Sequence, residues 1–162
     1  MIRAAVLFAT LATTAGAETL HFACDFPNGK RVEITHTDTT ATYAFGTPGR
    51  LDDLTIIRPV SQVHLTPWPG IGRTIWEEVT FLNDGHSYTI HASIHRIYPD
   101  DDEGEIEVEF AGGIIVQNGE AELAHLTCLP DTVDFPWGTG LFDAKEKAGQ
   151  CYDHTSLSLG AC

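Results

Sequence analysis

Apolar residues fall on every second position in one segment of this chain after another, and turn-forming dipeptides separate the segments. Leu20, Phe22, Cys24 and Phe26 share one parity, while His21 and Asp25 take the other. A period of two puts such residues on one face of an extended strand, because successive side chains alternate across the pleat. Asn28-Gly29 follows, and Val32 and Ile34 then resume the alternation. Both turn residues tolerate positive φ, so this stretch reads as a hairpin.

The same grammar continues along the chain. Thr40 to Phe45 and Leu54 to Val60 are further strand candidates, the second marked as an edge or strand end by Pro59. Thr66 to Gly72 is too rich in Pro and Gly for regular structure. Ile75 to Leu82 and Ser87 to Ile97 flank Asn83-Asp84-Gly85, and Trp76 inside the first of them is expected in the core. Ile106, Val108 and Phe110 alternate with Glu105, Glu107 and Glu109, which predicts one buried and one solvated face. Ile114 to Val116 continue that strand, and Asn118-Gly119 turn the chain into Ala121 to Cys128. The expected fold is mainly β: a single antiparallel β-barrel or sandwich of about eight strands. Beyond about residue 131 the character changes, with an aromatic bend at Phe135-Pro136-Trp137. Leu141 to Ala148 reads as a short C-terminal helix packing Leu141, Phe142 and Ala148, with Gly149 to end it.

Residues 1–17 carry a basic Arg3, an apolar run and Ala15-Gly16-Ala17, the pattern of a cleaved signal peptide. That leaves 18–162 as one exported domain, periplasmic or secreted, with no membrane span after cleavage. In an oxidising compartment four cysteines predict disulfides. Cys24 and Cys128 sit in hydrophobic strands and Cys151 and Cys162 bracket a polar tail, so the expected pairs are Cys24 with Cys128 and Cys151 with Cys162. Their spacings fit no common zinc pattern, and thiols tied in disulfides supply no nucleophile.

Nine Lys and Arg stand against 23 Asp and Glu, a net charge of −14. Such a surface disfavours nucleic acid and favours a basic protein or another cell-envelope component as partner. No Gly-x-Ser-x-Gly, His-Glu-x-x-His or phosphate-loop motif occurs, which favours a binding role over an enzymatic one. No cofactor is implied. The acidic run Asp100 to Glu105 lacks the order of an EF-hand loop.

Two surfaces are candidates for binding. Prolines on both sides of Trp68 stiffen a loop that ends at Arg73, and Trp137 lies in the second aromatic bend; rigid aromatic and Arg side chains are frequent anchors of interfaces. His91 and His95 share the outer face of one strand, yet at about 3.3 Å per residue they stand about 13 Å apart, too far to share one metal ion. A cross-strand histidine such as His86, His36 or His125 is the partner His91 would need.

The signal peptide, Phe22-Ala23-Cys24 followed by Gly29-Lys30-Arg31-Val32, and a late strand closing on Cys128 together resemble the small periplasmic inhibitors of c-type lysozyme. The resemblance spans residues 20–128 and implies an antiparallel β-barrel outside the cytoplasm, with an acidic body meeting a basic enzyme. It transfers no inhibitory residues, because Gly112-Gly113-Ile114-Ile115 lacks the Ser and Lys of the family's inhibitory segment. The functional expectation is an exported, non-enzymatic binding protein, inhibitor-like in the sense of this resemblance. The alternative is a periplasmic protein that binds a metal or small ligand through His and carboxylate groups.

Overall fold

The structure, a computed structural model, describes residues 16–99, 105–138 and 140–162. Most of the expected signal peptide 1–17, and Asp100 to Gly104 of the acidic run, lie outside these residues. Strands β1 (Thr19–Asp25), β2 (Arg31–His36), β3 (Thr40–Thr47) and β4 (Arg50–Pro59) form one antiparallel meander in that order. A second sheet has the order β5 (His64–Thr66), β6 (Thr74–Asn83), β7 (His86–Ile97), β8 (Glu107–Asn118) and β9 (Ala121–Thr127). At the β6–β7 turn Asp84 and Gly85 both have positive φ, 48° and 78°, which suits the twist of the flanking strands.

The sheets stack face to face, like a sandwich, and no closed barrel forms among the described residues. Phe22, Val32, Ile34, Tyr43 and Ile56 from the first sheet meet Val79, Phe81, Ile90 and Ile114 from the second, all buried. Tyr43 spans the layers, with its ring 5.9 Å from Phe81 and 5.5 Å from Tyr88. Burying side chains of this size contributes about 1.5 to 3 kcal/mol each, so the inner faces dominate the stability.

One side of the sandwich is strapped. Cys24 bonds Cys128, and Cys151 bonds Cys162, the pairs expected from the sequence. From Cys128 the chain runs along the free edge of β1: Leu129 N–H donates to Asp25 O at 2.8 Å, and Ala23 and Asp134 exchange two main-chain bonds of 2.8 Å. Cys128 N–H donates to Gly112 O of β8 at 3.0 Å, so the strap ties the two sheets. Gly112 is required there because a Cβ would stand 2.8 Å from the Phe22 ring.

Several expectations need correction. Eleven strands are present among the described residues, the short ones being β5, which takes in Thr66 of the expected loop, and β10 (Gln150–Asp153) with β11 (Ser158–Ala161), a ribbon in the tail. Trp76 is on the outer face of the second sheet, stacked on His91, because Glu77, Val79 and Phe81 take the inward parity. Ile106, Val108 and Phe110 alternate as predicted but are 53, 51 and 37 % exposed. The β7–β8 hairpin outruns its neighbours at that end, since β9 pairs with β8 only from Gly113 onward.

The helix α1 (Leu141–Lys147) buries Leu141, Ala144 and Lys145, while Ala148 is exposed. The chain leaves the helix at Gly149, φ 84°, so Ala148 sits in the turn instead of on the core. Lys145 Nζ donates to the carbonyls of Val60, which opens a 3-10 turn, Val60–Gln62, and of Val63, which follows it. Burial lowers its pKa from 10.5 to about 8. The ammonium thus staples α1 to the end of β4, at a desolvation cost that two carbonyl dipoles offset.

The ring sizes order the two disulfides. In the chain-entropy picture, replacing Cys24 and Cys128 by Ala lowers urea-unfolding stability by about 4 to 5 kcal/mol, against about 3 kcal/mol for the Cys151 and Cys162 pair. Equal losses, or a larger loss from the tail pair, would contradict this account of the strap.

Candidate functional site

At the end of the sandwich where the β7–β8 hairpin overhangs, the Thr66–Gly72 loop folds back on itself. Pro67 is buried, and the Trp68 indole N–H donates to Ile71 O at 2.9 Å, closing the loop. Arg96, on the inward parity of β7, holds it from the side. Its Nε donates to Arg73 O and its Nη2 to Gly72 O, both at 2.9 Å, and its guanidinium lies 5.7 Å from the centre of the Trp68 ring. Trp137 meets Trp68 edge to face at 6.0 Å. Arg73 itself reaches over Tyr98 at 5.3 Å.

Three of the residues singled out in the sequence, Trp68, Arg73 and Trp137, therefore converge on one surface. Arg96 and Tyr98 complete it and were missed. A signal for them exists in the sequence, since Ile94, Arg96 and Tyr98 continue the parity of Ile90 and Ala92. A cation on an expected core face had to be sitting at an edge. Trp137 is 47 % and Ile71 79 % exposed, so the cluster is fixed in place yet open to solvent.

Beneath it lies a buried polar pair. The β1–β2 ladder pairs Leu20 with Thr35 and then Phe22 with Ile34, which leaves His21 as the extra residue of a bulge. Alternation predicts an outward His21; the bulge instead turns it toward the second sheet. Its Nε2 stands 3.5 Å from Glu77 Oε2, and its ring lies 6.3 Å from His36 and 6.1 Å from Phe135. His21 Nδ1 has no hydrogen-bond partner among the described residues.

Desolvation sets the protonation of this pair. Burial, helped by His36, lowers His21 from 6.5 to about 4, and burial raises Glu77 from 4.5 to about 7, opposed by the hydrogen bond from the Trp137 side chain. Both groups are buried, 4 % and 8 % exposed, so neither is open to a solute.

The histidine candidates lie elsewhere. His91 is on the outer face of β7, stacked on Trp76 at 6.3 Å with Nδ1 3.6 Å from Glu78 Oε1. It shares a shallow trough of about 340 Å³ with His125, across the glycine floor of β8. His86, at the other end of β7, and His36, inside the first sheet, are not part of that trough. His95 bonds Thr74 Oγ1 through Nδ1 at 2.9 Å and opens on a separate groove beside Glu109. Among the described residues no group of three or more His, Cys, Asp or Glu is arranged to hold a metal ion. Nor is any described helix long and apolar enough to cross a membrane.

The pair generates a test by pH. Between about pH 4.5 and 6.5 the unfolded chain carries a charged His21 and an ionised Glu77, while the folded chain carries both neutral. Each state then holds one proton on the pair, so the pair adds no slope to stability there. Glu77→Gln removes the folded state's proton, and the unfolded state binds one more. Stability of the variant relative to the parent then rises by about 1.4 kcal/mol per pH unit across that window. Parallel curves of urea midpoint against pH would refute the assignment.

Comparison with family models, with curated proteins and with solved structures finds no match to this chain.

Proposed function

We propose that the protein is an exported, non-enzymatic binding protein of the periplasm or cell envelope that grips a protein partner through its Trp68–Trp137–Arg96 end. The carrying observation is the fixing of Arg96 between the Trp68 ring and the carbonyls of Gly72 and Arg73, with Trp137 half exposed beside it. Trp, Tyr and Arg dominate the energetics of protein interfaces, and side chains held in place before binding lose little entropy on docking. The export-like leader and two disulfides support the compartment. The net charge of −14 steers a basic partner toward the domain before short-range contacts form.

The sharpest form of this reading is inhibition of a c-type lysozyme. Titration of the oxidised protein into lysozyme is expected to slow cell-wall lysis, and Trp137→Ala to weaken that effect by on the order of tenfold or more. His91→Ala, remote from the cluster, leaves it unchanged. Undiminished lysis at about 50 µM removes the lysozyme form. The broader reading fails if no periplasmic or secreted protein is retained by the immobilised domain in a manner that depends on Trp68 and Trp137.

A further inference from the structure

The overhanging stretch of β8 has a free edge. Its pairing with β9 stops at Gly113, opposite Thr127, and the last main-chain bond on that side runs from Cys128 N–H to Gly112 O. Main-chain groups of alternate residues point the same way along a strand. The N–H and C=O groups of Phe110 and Val108 therefore face outward beside those of Gly112, and among the described residues no strand meets them. An unpaired edge of this kind is a template for another extended chain.

The edge is one wall of a groove of about 580 Å³, with Val108 and Phe110 facing Pro130 and Val133 of the strap. Carboxylates of Glu109 and Asp131 and the imidazole of His95 line it, no Lys or Arg among the described residues does, and Glu107 lies one strand period from Glu109. Side chains of Ile106, Val108 and Phe110 fall on one face of the strand and those of Glu107 and Glu109 on the other. Across β7, Val108 is paired with Arg96, so the apolar face continues into the aromatic platform.

We infer that the free edge of β8 receives an extended segment of the partner protein, one that alternates apolar residues with Lys or Arg, as an added antiparallel or parallel strand. The segment's main chain pairs with Val108 and Phe110. Its apolar side chains cover the exposed face, and its cations meet Glu107 and Glu109 on the other. A second copy of this chain is a poor occupant, since edge-to-edge pairing sets Glu107 and Glu109 against their own counterparts. The inference rests on the reading of the chain as a binding protein and specifies what that partner presents.

The probe is a labelled peptide of about eight residues alternating valine and lysine, titrated into the full oxidised protein and read by fluorescence anisotropy and by amide exchange. Binding is expected, with the Val108 and Phe110 amides protected on the order of tenfold or more, and a valine–glutamate peptide is expected not to bind. Methylating alternate peptide amides, in the register that faces β8, weakens binding on the order of tenfold. So does Val108→Pro, which removes an outward N–H without touching the β7 ladder, whereas Val108→Thr retains binding. Should Val108→Pro disturb folding, the double variant Glu107→Lys and Glu109→Lys is expected to reverse the preference between the two peptides. No binding, or binding indifferent to amide methylation, overturns strand addition, as does protection that arises from dimerisation without peptide. Partner retention that Trp137→Ala abolishes but the edge variants spare overturns strand addition and leaves the broader reading standing. Peptide binding at this edge with no Trp-dependent retention overturns the broader reading and supports strand addition.

Discussion

The Cys24–Cys128 bridge fastens the first strand to the chain leaving the last strand of the second sheet, and the aromatic end hangs on the strap it anchors. From Cys128 the strap bonds β8 at Gly112 and β1 at Asp25 and Ala23, and only then delivers Phe135 and Trp137 to the end of the sandwich. Its path depends on Gly112, where any side chain would collide with Phe22. The bridge constrains the unfolded chain by a long loop. In the folded chain its consequence is positional: Trp137 is brought to Trp68, from which it is separated by most of the second sheet in sequence.

The platform so assembled follows from a division of labour between buried and exposed groups. Glu77 and His21 occupy positions where two apolar residues would have packed with less cost in desolvation. Neutralisation of both makes the arrangement tolerable. Lys145 of α1 follows the same rule, with its pKa lowered and its ammonium given to two carbonyls. Buried polar groups of this kind fix one arrangement of neighbouring elements because each has few alternative partners.

Much of the fold was legible in the sequence because a strand's period and a turn's φ requirement are local. The hairpins at Asn28-Gly29 and Asp84-Gly85, the antiparallel order and the short helix before Gly149 follow from such signals. The outer-face placement of His91 and His95 follows from parity alone. The site was legible in part: Trp68, Arg73 and Trp137 stand out by their prolines and aromatic neighbours, while Arg96 hides inside a strand pattern. His21 was misread because one extra residue in β1 shifts parity, and nothing in Leu20-His21-Phe22 announces a bulge.

Local chemistry in the sequence determined which residues alternate, where the chain turns and which cysteines lie in strands and which in the tail. Only the tertiary structure decided which alternating faces are covered. Ile106, Val108 and Phe110 carry the same pattern as Val79 and Phe81, yet one set is exposed and the other buried. The difference arises because burial is a property of how far an opposing sheet extends, and strand length beyond a partner is set by packing at a distance. The same nonlocality brought Trp68, Trp137 and Arg96 together, since each contact among them joins segments that no turn or period connects.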